Sequence, residues 1–537
     1  MKISYLVNGA RKTARSSNAD LQISSKVKEG RFTVSVKALR AMTLQKGEET
    51  YPFHVNFEDV YFLNGYQSWT DSKEYKLVKR LRNIKKSPHI ITKQFAMDKY
   101  GDSSFYRYSI RKSHGYDFFY SRGKYEVFIY NLNFRTAYLI IELVKDSRDI
   151  HLTSDVKGIE LAPGEELTVF DYRVVPDFQD GLASFRRDFE EKDIQKIFGY
   201  SSWYNYYQDI NEEIIHKDLE ALDSRFNVFQ IDDGYETFVG DWLDVDPNKF
   251  PNGLKGIVDR IHEKGYKAGI WMAPYVAEAK SKLFREHIDW IRKDKWGRPI
   301  KAGGNWSGFY SLDLDNPEAM DYVEKCLRHY ADMGFDFFKL DFLYASALPV
   351  YEKKSRCMVQ YEAYRRLREI LAGKLILGCG ANIINSYGNF DYLRVGPDVS
   401  LSFDDSVAMR LFHRERISTK VTLQNTIFRS FFDRRLFGND PDVFLLRDEN
   451  IQLSKEQRTA LTTINALFGS VLMTSDNIST YDKEKKAILD RALDLFENGK
   501  VEEYSIRGNI ITVDYSLREE QHRFTYNTDK GVMTNER

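Results

Sequence analysis

The stretch Phe335-Asp-Phe-Phe-Lys-Leu-Asp341 decides the fold, because a short apolar run ends directly in a carboxylate. Runs of this kind are typical of strands that are covered on both faces of a parallel sheet. The same arrangement occurs in Phe226-Asn-Val-Phe-Gln-Ile-Asp232-Asp233, and Asp398 follows Leu393-Arg-Val-Gly-Pro397. We therefore predict a parallel sheet whose strands carry acidic side chains at their C-terminal ends.

Further apolar runs lie before and after this stretch, and helical segments separate them. The candidate strands are residues 198–203, 226–231, 268–272, 309–312, 335–340, 375–379, 392–395 and a segment near 435–437. One helix is expected to open at Asn316-Pro317 and to end at Gly334, and the last one spans residue 455 to about 473. Eight strand-helix units predict a closed (β/α)8 TIM barrel over residues 181–475.

The two ends of the chain have a different pattern from the centre. Apolar and polar residues alternate in Phe32-Thr-Val-Ser-Val36, and the alternation returns from about Thr480. Period-two alternation indicates strands with one buried face. We predict a multidomain fold with an N-terminal antiparallel β-sandwich over residues 1–180 and a small C-terminal antiparallel β-domain over residues 476–537.

Composition and charge exclude several classes of protein. The chain of 537 residues has 79 basic and 79 acidic side chains, whereas a nucleic-acid-binding protein normally has a basic excess. The first residues hold no apolar stretch of the ~7 to 15 residues that an export signal needs, and no run approaches the ~20 residues of a membrane span. We expect a cytoplasmic protein with neither a nucleic-acid nor a membrane partner; its oligomeric state, a homo-oligomer included, stays open.

In a parallel barrel, catalysis takes place where polar side chains follow the strands. Such positions hold Asp232-Asp233, Asp341 and Asp398, and Lys339 points inward with Asp341 because the two residues are two positions apart on one strand. Each aspartate alone is equally suited to capping the next helix. Three acidic positions at matched places favour an active site, and a pair of carboxylates across a barrel mouth is typical of glycoside hydrolases.

Other catalytic classes lack their motifs in this chain. The ten histidines include no HxH or HExxH pair, which disfavours a zinc or iron site. The acidic string Asp241, Asp244 and Asp246 suggests calcium or a sugar nucleotide, but a solvated loop is the favoured interpretation because the Gly and Glu of a calcium loop are missing. Phosphate-binding, dinucleotide and serine-hydrolase motifs are also missing from the sequence. We expect no metal ion and no organic cofactor.

Five motifs together point to a family. In chain order they are Phe229-Gln-Ile-Asp-Asp-Gly-Tyr-Glu236, Gly269-Ile-Trp-Met-Ala-Pro274, Phe338-Lys-Leu-Asp-Phe-Leu-Tyr-Ala345, Gly378-Cys-Gly380 and Leu393-Arg-Val-Gly-Pro-Asp398. In this order and spacing they resemble the α-galactosidases of glycoside hydrolase family 36, the melibiase group. The segment Asn64-Gly-Tyr-Gln-Ser-Trp69 is similar to a family segment that reaches over the barrel mouth.

The resemblance implies a retaining, exo-acting hydrolase that releases terminal α-linked galactose from oligosaccharides by double displacement. Asp341 is the implied nucleophile and Asp398 the implied general acid and base. The two roles require different surroundings. Lys339 beside Asp341 is expected to keep that carboxylate charged, whereas Asp398 needs a drier, like-charged setting in order to hold a proton.

The resemblance also assigns contacts to the hydroxyl groups of galactose. Asp232 and Asp233 would bind the 4- and 6-hydroxyls, so that they read the axial 4-hydroxyl that separates galactose from glucose. Lys339 and Arg394 would bind the 3- and 2-hydroxyls, and Cys379 would lie near the 2-hydroxyl. The alternative for Cys379 is a small buried thiol in the barrel wall.

Aromatic residues complete the implied site. Trp271 would form an apolar wall and Trp69 would close the pocket, although Trp69 is also suited to the sandwich core and the family segment has Trp where this chain has Tyr66. The tryptophans that follow other strands either line subsites or plug the barrel end; they are Trp203, Trp242 and Trp306. The string Asn439-Asp-Pro-Asp442 resembles a family segment that supports the pocket, and we assign it no catalytic role.

Three alternatives to an α-galactosidase stay open at this point. Two are enzymes on the same scaffold, an α-N-acetylgalactosaminidase and an α-galactosyl transferase of the raffinose-synthase kind. The third is a catalytically silent carbohydrate-binding protein, against which the intact pair Asp341 and Asp398 speaks.

Overall fold

A computed structural model describes residues 1–76, 96–109, 111–144, 147–348, 353–412 and 414–536. Within these residues the chain forms two antiparallel sheets, a central parallel sheet, a small three-stranded sheet and a four-stranded C-terminal sheet. The predicted architecture, a β-sandwich, a TIM barrel and a C-terminal β-domain, is confirmed. The predicted boundaries at residues 180 and 475 remain a proposal.

The N-terminal part is built mainly from strands. They are β1 (Lys2–Val7), β2 (Ala10–Ala14), β3 (Leu21–Lys28), β4 (Arg31–Ala38), β5 (Met42–Pro52), β6 (Val60–Leu63), β7 (Glu74–Tyr75), β8 (Lys112–Tyr116), β9 (Phe118–Arg122), β10 (Val127–Asn131), β11 (Leu139–Val144), β12 (Asp149–Ser154), β13 (Glu160–Leu161) and β14 (Glu166–Val175).

These strands pair in two sheets with a common apolar core. One sheet has the order β2-β1-β5-β12-β11-β8, with β13 beside β5, and the other has the order β3-β4-β14-β10-β9-β6-β7. Ile3 and Ile141 from the first sheet and Val36 and Ile129 from the second are buried in one cluster. The alternation of buried and open positions along the strands is what a sheet with one packed face requires.

The central and C-terminal parts contain the remaining strands. They are β15 (Ile197–Ser201), β16 (Val228–Ile231), β17 (Lys267–Met272), β18 (Val276–Glu278), β19 (Lys301–Gly303), β20 (Phe309–Ser311), β21 (Phe337–Leu340), β22 (Leu375–Gly378), β23 (Tyr392–Arg394), β24 (Gly438–Asp440), β25 (Val443–Phe444), β26 (Val471–Thr474), β27 (Gly499–Arg507), β28 (Ile510–Leu517), β29 (Glu520–Asn527) and β30 (Val532–Glu536).

Helices follow most of the barrel strands. They are α1 (Phe178–Asp188), α2 (Trp203–Tyr206), α3 (Glu212–Ala221), α4 (Lys255–Glu263), α5 (Lys282–Glu286), α6 (Pro317–Met333), α7 (Arg356–Ile370), α8 (Ile383–Ser386), α9 (Val407–Phe412), α10 (Thr419–Phe428), α11 (Lys455–Phe468) and α12 (Lys483–Asn498).

Helix α6 begins and ends where the sequence predicts. The Asn316 side chain accepts hydrogen bonds from the amides of Glu318 and Ala319, and Pro317 occupies the first turn. Gly334 ends the helix with φ of 117°, a left-handed conformation that glycine adopts without strain.

The parallel strands close into a barrel at a broken strand. The sheet order is β24-β23-β22-β21-β17-β16-β15-β26-β25, and only Pro441 and Asp442 separate β24 at one end from β25 at the other. The Ser470 amide, which precedes β26, donates to the Asn439 carbonyl of β24 at 2.9 Å. β24 and β25 therefore act as one strand that Pro441 interrupts, because proline has no amide proton to donate to a sheet.

Residues 309–312 were predicted to form a barrel strand, and their assignment to the barrel is wrong. Phe309–Ser311 does form a strand, but β20 pairs antiparallel with β18 and β19 and lies outside the barrel sheet. In the barrel, β17 pairs directly with β21. A three-residue apolar strand is equally suited to either environment, so its pattern did not distinguish the two.

The end of the barrel also differs from the prediction. The segment expected to be helical up to about residue 473 ends at Phe468, and β26 follows as the eighth barrel strand. The seventh strand lies at residues 438–444, just after the predicted segment near 435–437. Residues 483–498 form α12, so the alternating strands of the C-terminal sheet begin at Gly499 and not at about Thr480.

One buried arginine holds the N-terminal part against the barrel. Arg429, directly after α10, is fully buried. Its Nε donates to Asn64 Oδ1 at 3.0 Å, and its terminal nitrogens donate to the carbonyls of Ser68 at 2.5 Å and Val395 at 2.7 Å and to Ser72 Oγ at 2.8 Å. Burial lowers the pKa of Arg429 to about 9, with a smaller contribution from the charge of Arg414. The Arg429 guanidinium thus joins the N-terminal segment that contains Trp69 to the barrel, where Val395 directly follows β23.

We expect Arg429→Lys to lower the free energy of unfolding by roughly 2–4 kcal/mol, because a lysine reaches fewer of these acceptors and leaves others buried without a donor. Urea unfolding of the intact chain measures the change. Arg365→Lys is the matched control, since the Arg365 side chain is 56% exposed and pairs with Glu369 on the same helix. Equal stabilities of the Arg429→Lys variant and the wild type would contradict the role given to Arg429.

Candidate active site

The predicted acidic residues meet in one cavity at the C-terminal ends of the barrel strands. The cavity has a volume of about 410 Å³. Its wall comes from the barrel, from the N-terminal segment and from the loop before α10. The lining residues are Trp69, Met97, Tyr100, Trp203, Asp232, Asp233, Trp271, Gly304, Asn305, Trp306, Lys339, Asp341, Phe342, Pro397, Asp398, Met409, Glu415, Arg416 and Ile417.

Asp232 forms a buried ion pair at one side of the cavity. Its Oδ2 accepts from Lys339 Nζ at 2.8 Å and from Gln230 Nε2 at 2.5 Å. Its Oδ1 accepts from the Asp233 amide at 2.9 Å, and its own amide donates to Ser202 Oγ at 2.9 Å. Burial alone would lower the pKa of Lys339, but the Asp232 carboxylate raises it above the ordinary value. The pair therefore stays charged and has a fixed orientation.

Asp233 lies beside this pair and is held by a different set of donors. Trp306 Nε1 donates to its Oδ2 at 2.9 Å, and Gln208 Nε2 lies 3.2 Å from each of its oxygens. Burial raises the pKa of Asp233, although hydrogen bonds from Glu236, Trp306 and Gln208 oppose the shift. The buried Glu236 has a pKa well above its ordinary value, first through burial and then through the charge of Asp233. Burial thus favours the protonated form of Glu236 beside Asp233.

The implied nucleophile Asp341 is fixed at both oxygens. Trp271 Nε1 donates to Oδ2 at 3.1 Å, and the Phe342 amide donates to Oδ1 at 2.7 Å. Phe342 has φ of 52°, a left-handed conformation that is uncommon for an aromatic residue and that turns its amide back toward the carboxylate. Lys339 lowers the pKa of Asp341 as expected, but burial outweighs it and the pKa is raised.

Asp398 occupies a wetter position than the sequence analysis expected. Its side chain is 32% exposed, and Oδ1 accepts from an Arg394 nitrogen at 3.0 Å. The dry surroundings expected for Asp398 are found at Asp341 instead, where burial and the Asp398 charge both raise the pKa. The expectation that Asp398 is the drier of the two carboxylates is therefore wrong.

Arg394 connects Asp398 to two further carboxylates. Its Nε donates to Asp440 Oδ2 at 2.8 Å, and NH2 lies 2.9 Å from Asp442 Oδ1. Asp442 also accepts from the Val399 amide at 2.7 Å and from the Tyr204 hydroxyl. Burial, with smaller effects from Asp398 and Asp440, raises the pKa of Asp442 to about 7 against the opposing charge of Arg394.

The Asp440 and Asp442 carboxylates come from the broken seventh strand, where Asp442 has φ of 76°. Three carboxylates around one guanidinium carry an excess of negative charge, and a proton on one of them relieves it. The sequence analysis assigned Asn439-Asp-Pro-Asp442 no catalytic role. The structure places this string directly behind the backbone of the implied acid.

Trp69 covers the site from the N-terminal part. Its Nε1 lies 3.4 Å from Cys379 Sγ, and its ring contacts Phe342 with 5.3 Å between ring centroids. Tyr66, the other candidate for the lid, is buried against Tyr116 in the interior. The aromatic residue that reaches the cavity is thus Trp69.

Seven of the nine predicted site residues line the cavity, and two lie behind it. The seven are Trp69, Asp232, Asp233, Trp271, Lys339, Asp341 and Asp398. Arg394 and Cys379 are buried beside the cavity. Arg394 contacts the lining residue Asp398, and Cys379 contacts the lining residue Trp69. Burial raises the pKa of the Cys379 thiol well above its ordinary value, so the thiol stays protonated.

Several residues of the site were missing from the predicted set. Trp306 and Trp203 line the cavity, whereas Trp242 is buried against Trp271 and plugs the barrel end. Trp306 belongs to the turn between β19 and β20, and β20 was predicted to be a barrel strand. The sequence left open whether Trp306 lines the site or plugs the barrel end, and the structure places it in the cavity wall.

The described residues contain no group of three or more His, Cys, Asp or Glu side chains that could hold a metal ion. In the same part of the chain, Asp241 accepts from the amides of Lys282 and Leu283 at the start of α5, and Asp244 pairs with Lys282. These contacts give the acidic string a structural role. No described helix has the length and apolarity needed to cross a membrane.

Comparison with known proteins identifies the barrel. The Melibiase family profile matches residues 186–367, from before β15 into α7. This part of the chain is similar to melibiases. Alpha-galactosidase Mel36A of Lactobacillus acidophilus is 29% identical over 175 residues, which are 31% of this chain and 23% of that protein. An alpha-galactosidase of Escherichia coli is 29% identical over 181 residues, 32% of this chain and 25% of that protein. The matched part of the chain thus spans about a quarter of the length of these curated relatives.

A solved structure is similar to this chain over almost its whole length. TtGalA, an alpha-galactosidase from Thermus thermophilus in complex with p-nitrophenyl α-D-galactopyranoside, is 26% identical with a TM-score of 0.72. The match covers 97% of this chain and 98% of that one. AgaA from Geobacillus stearothermophilus, a family 36 alpha-galactosidase, is 12% identical with a TM-score of 0.63, which shows a common fold.

We expect Trp306→Phe to weaken galactose binding by about tenfold, because a hydrogen bond to a charged group contributes roughly 1.5–3 kcal/mol and phenylalanine removes the donor to Asp233. Isothermal titration calorimetry with galactose measures the dissociation constant. Trp296→Phe is the matched control, since Trp296 is 67% exposed. Unchanged affinity in the Trp306→Phe variant would contradict the assignment of Asp233 to sugar binding.

Proposed function

We propose that this protein is a retaining, exo-acting α-galactosidase that releases terminal α-linked galactose from oligosaccharides by double displacement. The observation that carries the proposal is that Asp341 and Asp398 line one cavity with the charged set Asp232, Asp233 and Lys339. Two carboxylates provide the chemistry of glycoside cleavage, and the buried charges beside them provide selective contacts for hydroxyl groups.

The nucleophilic step belongs to Asp341. Trp271 and the Phe342 amide fix both carboxylate oxygens, so the side chain needs no reorientation before it attacks the anomeric carbon. As the new bond to carbon forms, the bond to the leaving oxygen breaks and that oxygen takes a proton from Asp398. The product of this step is a β-linked galactosyl ester of Asp341.

The second step releases galactose. Asp398, now without its proton, removes a proton from a water molecule that attacks the same anomeric carbon, and the ester bond to Asp341 breaks. The exposed position of Asp398 lets both the leaving group and the water reach it.

Recognition of galactose is assigned to the charged set. Asp232 and Asp233 would accept hydrogen bonds from the 4- and 6-hydroxyls, and Lys339 would donate to the 3-hydroxyl. Because these groups are buried, a sugar whose hydroxyl points elsewhere leaves a charge without its partner, which lowers affinity strongly. Arg394 already pairs with three carboxylates, so its contact with the 2-hydroxyl has less support from the structure than the contacts of Asp232, Asp233 and Lys339.

The proposal also covers the cell compartment, the cytoplasm, and the size of the substrate, a small oligosaccharide. All three cysteines are buried and free. Free thiols are typical of a reducing compartment, which supports action in the cytoplasm on small oligosaccharides. The buried lining around Asp232 and the lid Trp69 support binding of a single terminal sugar.

Hydrolysis of an aryl α-galactoside tests the catalytic roles. We expect Asp341→Ala and Asp398→Ala each to lower kcat by on the order of 10³-fold or more for substrates that need protonation, because each removes a group that acts on the reacting atoms. Asp321→Ala is the control, since that side chain is 80% exposed.

Azide distinguishes the two roles. With Asp341→Ala, azide enters from the face that the carboxylate occupied and gives β-galactosyl azide; with Asp398→Ala, it attacks the covalent intermediate and gives the α-azide. Nuclear magnetic resonance identifies the anomers. An α-product from Asp341→Ala, or undiminished activity in either variant, would refute the assigned roles.

Discrimination at the 2-position tests the first alternative. Trp69 and Cys379 are in contact, and a Cβ on Gly380 would lie 2.9 Å from the Trp69 ring, so the wall near Cys379 is tightly packed. Forcing an acetamido group against such a wall costs roughly 1–3 kcal/mol, so we expect kcat/KM for an aryl α-N-acetylgalactosaminide to be at least tenfold below that for the galactoside. Equal values would favour the α-N-acetylgalactosaminidase, and a galactosylated sugar acceptor among the products would favour the transferase.

A further inference from the structure

Trp306 lies in an exposed turn, although its indole contacts a buried carboxylate of the site. Its neighbours Gly304 and Asn305 are exposed to solvent, whereas Trp306 Nε1 donates to the buried Asp233 at 2.9 Å. If Asp233 binds a galactose hydroxyl, the position of Trp306 affects how that carboxylate is oriented, so a role for this turn in binding rests on the proposed function. An exposed turn is mobile unless other elements hold it.

The backbone of Trp306 does not hold the turn by itself. Trp306 has φ of 53°, a left-handed conformation that is unfavourable for a residue with a large side chain. Such a conformation persists only where the surroundings fix it. On the C-terminal side, Ser307 Oγ donates to Glu278 Oε2 at 2.6 Å and thereby joins the turn to β18. A second contact is needed on the N-terminal side.

Tyr100 of the N-terminal part provides this second contact. Its hydroxyl donates to Asn305 Oδ1 at 2.5 Å and accepts from the Gly304 amide at 3.1 Å. The phenol thus uses its proton and an acceptor site on the same turn. Burial raises the pKa of Tyr100, so the hydroxyl keeps the proton that it donates.

The end of β19 leaves space for the Tyr100 hydroxyl. A Cβ at Gly303 would lie 2.2 Å from the Phe309 ring and 2.9 Å from the Tyr100 hydroxyl oxygen. The register between β19 and β20 shifts at this place, between Lys301 and Gly303. Irregular strand pairing of this kind redirects side chains next to active sites. The lack of a side chain at Gly303 therefore lets a tyrosine from the N-terminal part approach the turn.

Tyr100 is itself fixed by the segment that contains Trp69. Gln67 Nε2 donates to the Tyr100 carbonyl at 2.9 Å, and Gln67 Oε1 accepts from the Trp69 amide at 2.8 Å. Gln67 is fully buried, and its carbonyl accepts from Arg429 at 3.3 Å. Hydrogen bonds thus connect the buried Arg429 to the turn that carries Trp306.

We propose that Tyr100 is a positioning residue for galactose binding, because its hydroxyl holds the turn at residues 304–306 and thereby keeps Trp306 in contact with Asp233. Tyr100 acts through Trp306 on a contact that the sugar makes before and during the reaction. Loss of such a contact raises KM and the dissociation constant of galactose, whereas kcat is unchanged.

A double-mutant cycle tests this role. We expect Tyr100→Phe, which keeps the ring and removes the hydroxyl, to weaken galactose binding about three- to tenfold in calorimetry. KM for an aryl α-galactoside should rise by the same factor, with kcat within about twofold of the wild type. In the Trp306→Phe background the same change should weaken binding by less than about twofold. Asn305→Ala, which removes the acceptor, should reproduce the effect of Tyr100→Phe.

Tyr310→Phe is the matched control. Tyr310 belongs to β20 of the same small sheet, packs on Phe284 with 4.5 Å between ring centroids and does not line the cavity. Equal losses in the two backgrounds, no loss in either, or a fall in kcat without a rise in KM would overturn the role of Tyr100, while the proposed function stands. A wild-type protein that neither binds galactose nor cleaves the aryl α-galactoside would overturn both.

Discussion

The buried guanidinium of Arg429 is the constraint on which the rest of the site depends. It lies in an interior from which water is excluded, and its donors are divided between the N-terminal segment and the barrel. A charge in such a place is stable only when every donor has an acceptor, so the two parts of the chain must meet in one geometry. That geometry puts Trp69 over Asp341 and Cys379. The active site is therefore a property of the contact between domains and not of the barrel alone.

Acidic residues lie together at the C-terminal ends of the barrel strands, and two buried cations form ion pairs with them. Lys339 pairs with Asp232, and Arg394 is shared by Asp398, Asp440 and Asp442. Because the acids outnumber the cations, protons must be held somewhere in the cluster, and burial raises the pKa of Asp341 and Asp442. This imbalance of charge is suited to a site that exchanges protons.

The sequence predicted the strands that have long apolar cores and the acidic residues that follow them, because both depend on local pattern. It placed β20 in the wrong sheet and took β26 for the end of a helix, because these strands are three and four residues long and fit several environments. Asp442 was missed for a related reason: its importance comes from Arg394 and Val399, which are distant in the chain. The surroundings of Asp398 were also misjudged, because exposure and the Arg394 contact are decided by packing. Residue types at strand ends were predictable, whereas their partners across the barrel were not.

The broken seventh strand also affects how the chain is made. The ring of parallel strands is completed by β26, which pairs with β15 on one side and with β25 on the other. During synthesis, Asp232, Asp341 and Asp398 all leave the ribosome before this last strand. The ring that positions these three aspartates can therefore close only after residue 474 has been synthesised.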